Sequence, residues 1–264
     1  MSRPGAFLLA VWGLAAREVL RFVRQRNRIV GAVGTPLLFW LLLGAGFGRS
    51  FRAPGAAAEM DYAAYFFPGM LLLVVLFTAI FASISIIEDR TEGFLQGVLV
   101  APVSRLAIVL GKVGGGAALG FGQGLLLLLL APLGGLGYDA AQLLAAAGVL
   151  LLTAAGLSAL GFLLAWRMDS VQGFHAVMNL LLMPMWMLSG ALFPAAGAAG
   201  WVRAVMAANP LTYGMAALRR VLYEPGVSAG LGDPALGPAL AVLAGFAAAV
   251  LTLAAYAARR PGSA

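Results

Sequence analysis

The sequence predicts an all-α integral membrane protein built on six crossing helices, and two observations carry that reading. Hydrophobic residues make up 62% of the 264 and charged residues only 10%, against roughly 45–50% and 25% in soluble domains, so no water-soluble core accounts for the composition. The charges are also bunched, leaving uncharged apolar runs of membrane length between them. The net charge of +7 comes from arginines that flank these runs, where they hold loops on the cytoplasmic side rather than bind nucleic acid. Cysteine is absent, which removes disulfide frameworks and thiolate metal sites.

In chain order, residues 6–28 read as an amphipathic helix lying in the membrane interface. Arg17, Arg21, Arg24 and Arg28 recur at helical spacing opposite Val19, Leu20 and Val23. The 20 uncharged residues 29–48 give about 30 Å of helix, enough for span one. After a hydrophilic connection over 49–61 with Pro54 and Gly55, span two is 62–87, with Pro68 in its first turns where a proline is best tolerated. Spans three and four are 113–137 and 140–166. Beyond the turn at Arg167 to Ser170, the 33 uncharged residues before Arg203 exceed one span, so span five is placed at 173–193, ending at Pro194. Only 15 uncharged residues separate Arg203 from Arg219, too few to cross, and they read as an external re-entrant helical hairpin. Asn209-Pro210 is a helix start, cap then first-turn proline, and Glu224-Pro225-Gly226 is a stop. Asp233-Pro234 opens span six, 235–258. Residues 1–264 thus form a single transmembrane domain with both termini on one side. That side holds twelve Lys and Arg against five on the other, which makes it cytoplasmic.

The longest apolar territory is interrupted once, by IIEDRTEGFLQGVLVAPVSRLAIVLGK at 86–112. Glu88, Asp89, Arg90, Glu92, Arg105 and Lys112 are the only charges between Tyr62 and Tyr138. Because a charge centred in hydrocarbon is expensive, the island is expected in water, as a cytoplasmic loop. Taken as one helix, residues 88–99 put Glu88, Glu92 and Gln96 on one row and Phe94 and Val98 on another, with Leu95 and Leu99 beside it. Pro102 stops that helix and Ser104 caps the next. Two readings fit: a knob that enters a groove on a soluble partner, or a solvated turn whose apolar face rests on lipid.

The chemistry missing from the chain narrows its function. No Asp, Glu, Lys or Arg falls in the middle of a predicted span, which argues against a proton- or sodium-coupled secondary carrier and leaves an ATP-independent carrier or channel as the alternative from another class. The single histidine, His175, has no nucleophile motif beside it. A phosphate loop needs G-x-x-x-x-G-K-[ST]. Lys112 has Leu106 in place of the first glycine and is followed by Val113. No catalytic residue or bound cofactor is read in the chain, and any nucleotide energy must enter from a partner.

The stretch EDRTEGFLQGVLVAPVSRLAIVLGK resembles the signature loop of permease subunits of ABC transporters of the type-2 exporter family: an acidic residue, a glycine and a leucine-rich turn, then P-[VL]-S-R and G-K. LSGALFP at 188–194 and NPLTYGMAALR at 209–219 resemble the same family's signature after span five. Phe94 departs from it, standing where the family more often has a small or hydroxyl residue. The resemblance implies that Glu88, Asp89, Arg90, Glu92, Phe94, Leu95, Gln96 and Leu99 belong to a coupling helix that docks on ATP-binding subunits. It also implies a second permease chain, identical or a close paralogue, a bacterial-type cytoplasmic (inner) membrane, ATP and magnesium held by the partner, and export. The substrate would be drug-like or lipidic, with polysaccharide or glycolipid as the rival within the family. Arg203, Asn209, Pro210, Arg219 and Arg220 would then stand at an outer gate, although arginines snorkelling to the interface fit as well. Gln123 and Asn179, the amides within spans, either line a path or hydrogen-bond neighbouring helices. Gly116, Gly120 and Gly124 let another helix approach closely.

Overall fold

A computed structural model describes residues 4–48, 61–134 and 136–259; most of the expected connection over 49–61 lies outside the described residues. The helices are α1 (Pro4–Arg24), α2 (Arg26–Phe47), α3 (Tyr62–Thr91), α4 (Phe94–Val100), α5 (Arg105–Leu130), α6 (Ala140–Ala165), α7 (Val171–Trp186), α8 (Gly200–Ala208), α9 (Pro210–Leu222), α10 (Pro225–Gly230) and α11 (Leu236–Arg259). Among the described residues, six helical stretches are long and apolar enough to cross a membrane: α2, α3, α5, α6, α11, and α7 with the turn that continues it to Ala191. The chain is a multi-pass membrane protein.

Apolar residues surround α3 on every side, the pattern of a buried helix, and α3 is the axis of the bundle. It packs against α2, α5, α6, α7 and α9, and 83% of its most apolar stretch is buried, against 11% for α2. Helix α5 reaches the crevice between α3 and α6 through its glycines. Gly116 faces Ser158 and Ala82, Gly120 faces Ala154 and Val75, and Gly124 faces Val75 and Leu150, so this row serves packing.

Side-chain caps set four of the helix starts. The Ser104 hydroxyl accepts from the Ala107 N–H at 3.1 Å and starts α5. Asp139 and Gln142 cap α6 reciprocally, and Ser170 accepts from the Gly173 N–H to start α7. Span three therefore begins at Arg105 rather than 113. It ends at Leu130, where Ala131–Gly134 tightens into a 3-10 turn. The Pro225-Gly226 pair, expected only as a stop, also opens the short α10.

The N-terminal segment differs from expectation in two ways. Residues 6–28 are not one helix: α1 ends at Arg24, Gln25 leaves helical geometry at φ −96° and ψ 76°, and Arg28 belongs to α2. Nor does α1 turn its whole basic face to water: Arg24 is exposed, but Arg17 and Arg21 are partly buried. It lies lengthwise along α5, running in the same direction. A Cβ at Gly111 would stand 2.6 Å from the Cβ of Leu14, and one at Gly115 would stand 2.7 Å from the Cβ of Glu18, while Phe22 clusters with Leu119. Only glycine permits this approach. Arg17 and Arg21 are turned inward and the apolar face outward, with Leu8, Leu9, Trp12, Leu20 and Val23 exposed, as suits a helix bathed in lipid.

Candidate functional site

The charged island is built as a helix end, a break and a short helix. Glu88, Asp89 and Arg90 stand on the last turn of α3, which stops because Gly93 takes φ 78°, a conformation open to glycine and costly for other residues. Helix α4 restarts at Phe94. The single helix over 88–99 is thereby corrected to two, and its acidic row does not exist: Glu88 faces α1 and α2, Glu92 terminates α3, and Gln96 lies on the exposed side of α4.

The island's charges are not all in water either. Asp89 is fully buried, and Lys112 and Glu18 are nearly so. Arg17 donates to both Asp89 oxygens, at 2.8 and 2.7 Å, and Arg21 Nη1 adds a third bond at 2.6 Å. Lys112 Nζ bonds Asp89 and reaches Glu18 Oε1 at 2.5 Å, while the Ser85 hydroxyl donates to the other Glu18 oxygen. Arg28 pairs with Glu88, and Arg21 also approaches Glu88 at 2.9 Å and Glu92 at 3.3 Å. Four carboxylates thus meet four cations in a neutral knot that joins α1, α2, α3 and α5. Mutual pairing offsets a desolvation that a lone buried charge does not survive. Such knots add little net stability but fix which elements meet.

Helix α4 is fastened to this knot. The Arg17 guanidinium lies 3.6 Å from the centroid of the Phe94 ring, a cation–π contact, and its hydrogen bond to Asp89 holds its proton more tightly than usual. Leu95 is buried and Leu99 half-buried. Arg90 turns the other way, donating to the carbonyls of Met168 and Trp166 and to Asp169, which ties α3 to the α6–α7 turn. The groups left outward are Glu92, Gln96, Val100 and part of Phe94.

At the opposite end, α7 gives up α geometry after Trp186. Met187–Ala191 forms a π turn, with Leu188 at ψ 17° and Gly190 at φ 90°. Carbonyls along this end are bonded by other elements. Asn209 Nδ2 donates to Met185 O at 2.5 Å, Thr212 to Leu188 O at 3.4 Å, and Tyr62 to Leu192 O at 3.0 Å. Gly190 O accepts from both Arg219 and Tyr65, each at 2.7 Å. Arg219 is fully buried, 4.3 Å from the Tyr65 ring centroid and 3.3 Å from Asp233, so it does not snorkel. Arg220 donates to the carbonyls of Asp233 and Pro234. Asn209 caps α9 with Pro210 behind it, and Arg203 is exposed on α8. The stretches 188–194 and 209–219 are therefore bonded to each other.

Comparison with known proteins bears on both ends. A family model described as ABC-2 type transporter matches residues 10–223, from within α1 to the residue after α9. The chain belongs to the ABC-2 type transporter family. It is also 28% identical over 216 residues to a protein of Cyanophora paradoxa named "Putative transport permease ycf38", spanning 81% of this chain and 74% of that one. The ABC-2 match takes in the charged knot, the Gly93 break and, at the opposite end, the bonded stretches 188–194 and 209–219, and stops short of Asp233.

Several residues of this ABC-2 site escape a reading by sequence. Glu18, Arg17, Arg21, Arg28 and Lys112 make the knot, yet the first four read as an interface helix and the last as a loop charge. The signal available was the Gly111/Gly115 pair, which marks a helix-contact face one step ahead of Gly116. Of the two amides within spans, Gln123 accepts from Thr78 at 2.6 Å and so joins α5 to α3, whereas Asn179 is exposed on α7. His175 packs edge-on against Phe81 and Phe174. Between α1 and α4 opens an apolar groove of about 460 Å³ walled by Ala10, Leu14, Phe94, Val98 and Val103.

Proposed function

We propose that this chain is the membrane permease subunit of an ABC exporter, energised by ATP and magnesium on separate ATP-binding subunits and working beside a second permease chain. The observation that carries this reading is the Gly93 break. It hangs a short helix, α4, from the end of the most buried helix of the bundle and fastens it to α1 through Arg17 and Phe94. A push on α4 thus reaches the axis of the bundle and three further helices through one neutral knot, as a docking element for a moving partner requires. Glu92, whose side chain is 59% exposed, and Gln96 are the polar groups offered to that partner, while Glu88 and Asp89 act inside. The other end, with Arg203, Asn209, Pro210, Arg219 and Arg220, is the outer gate, and a drug-like or lipidic substrate suits the apolar spans.

Two tests apply. Glu92→Arg is expected to abolish transport and to weaken co-purification with the ATP-binding subunit, with membrane insertion and thermal stability unchanged; export at the wild-type rate in that variant would sink the docking role. For orientation, Glu92→Cys gives a chain with a single thiol. It is expected to react with a membrane-impermeant maleimide in inverted vesicles and not in intact cells, and the reverse pattern would place α4 outside.

A further inference from the structure

Glycine serves two different ends where α1 meets its neighbours. Gly111 and Gly115 of α5 press so closely on α1 that a Cβ would stand 2.6 and 2.7 Å from another atom. Gly13 of α1 and Gly97 of α4 both wall the apolar groove between those helices, and among the described residues nothing lies within 4 Å of the place a Cβ would take on either. Glycine inside a helix is unfavourable, and here no close approach offsets that; what the pair keeps is open volume. With Ala10 and Ala101 beside them they leave about 460 Å³, within the range of about 300–1,000 Å³ of small-molecule sites. The surroundings are apolar: Leu8, Leu9 and Trp12 are exposed on the same turns of α1, and Val100 and Leu106, which adjoin the walls at Ala101 and Val103, are 87% and 39% exposed. Two cations stand near. Arg17 lines the groove but is engaged with Asp89 and the Phe94 ring. Arg105, two residues beyond Val103 at the start of α5, is half-buried, and its side chain has no hydrogen bond or ion pair among the described residues.

We propose that this groove holds one acyl chain of an anionic phospholipid from the leaflet that α4 borders, with the lipid phosphate on Arg105. An apolar volume open to lipid fills with hydrocarbon rather than water, because ordered water needs polar partners that Ala10, Gly13, Val98 and Ala101 do not supply. A guanidinium without a carboxylate, at the level where head groups meet acyl chains, takes a phosphate by charge-assisted hydrogen bonds. The acyl chain occupies the space between α1 and α4 that no side chain fills. Helix α4 is then held to α1 by Arg17 over Phe94 and, along Gly97 and Ala101, by lipid. Such a lipid needs α1 and α4 at the membrane surface but no ATP-binding subunit, so its presence does not depend on the permease reading.

The full chain in phosphatidylcholine vesicles, doped with phosphatidylglycerol that carries a diazirine on its acyl chain, tests this. Illumination followed by peptide mass spectrometry is expected to label residues 10–17 and 94–103 above the bulk-lipid level set by the stretch around Leu253, which is exposed on α11. Gly13→Leu and Gly97→Leu fill the open volume and suit a helix better than glycine. Each is expected to fold and to lose the labelling of both stretches, while that around Leu253 stays. Arg105→Gln is expected to weaken the preference for the phosphatidylglycerol probe over a phosphatidylcholine one by about two- to fivefold, as a surface ion pair allows. The site is overturned if residues 10–17 and 94–103 label no more than the Leu253 stretch, or if their labelling persists in Gly97→Leu, either of which means bulk lipid only. Equal labelling by the two probes in the unaltered chain overturns the anionic head group and the part of Arg105 in holding it. Loss of labelling when the ATP-binding subunit is added makes the groove a protein-docking surface and overturns the lipid. None of these failures touches the docking role of α4, which Glu92→Arg reads.

Discussion

Asp89→Ala is expected to lower stability by about 3–5 kcal/mol, the cost of breaking a buried ion pair from one side. The substitution leaves Arg17, Arg21 and Lys112 converging on an empty position that is fully buried. Glu92→Ala makes the contrast. That carboxylate is 59% exposed and only 3.3 Å from Arg21, and exposed pairs contribute ~0–1 kcal/mol. Thermal unfolding of the two variants in detergent checks the difference. Adding Lys112→Met to Asp89→Ala is expected to restore part of the loss, since it removes one uncompensated cation. Equal midpoints for Asp89→Ala and Glu92→Ala would show that the knot does not hold α1 to α3.

Arg219→Met is expected to be of similar size, about 3–5 kcal/mol. It removes a donor from the Gly190 carbonyl and leaves the Asp233 carboxylate in a buried site with its nearest cation gone. Burial pushes the Asp233 carboxyl above its ordinary value, and Arg219 and then Arg220 pull it back. A carboxyl whose folded value is raised binds its proton more tightly in the folded chain. Stability therefore falls as pH rises from the ordinary carboxylate range through the raised value, and is flat above it. Without Arg219 the raised value climbs further, so the deficit of Arg219→Met is expected to be smallest in acid and to grow over a wider pH window than the wild-type change. Unfolding midpoints measured across pH for both proteins test this; a deficit independent of pH would show that Arg219 does not set the proton affinity of Asp233 in the folded chain.

What was legible in the sequence was what the bilayer dictates. Span number followed from the lengths of the uncharged runs, and helix starts followed from Ser104 and Asn209-Pro210, whose capping is local. The less legible features depend on partners remote in sequence or on one backbone angle. Arg17 and Asp89 are 72 residues apart, and sign and spacing alone do not say which acid an arginine meets. Periodicity carried a helix through Gly93, because a glycine reads as a weak helix former until its φ is known. Arg219 read as an interface arginine because its carbonyl partner, Gly190, is freed only by the π turn. The Gly93 break also splits the row Glu88, Glu92, Gln96, although Glu92 and Gln96 remain outward.

The knot also imposes an order on biosynthesis. Arg17 and Arg21 leave the ribosome long before Asp89, 72 and 68 residues later, and Lys112 follows Glu18 by 94. While α1 to α3 are being inserted, the arginines of the first helix are bare, the form in which basic residues bias orientation most strongly. When the end of α3 arrives, those charges are neutralised and sequestered. The N-terminal helix thus leaves the ribosome with Arg17 and Arg21 unpaired and keeps only Arg24 as an exposed arginine once α3 and α5 have packed against it.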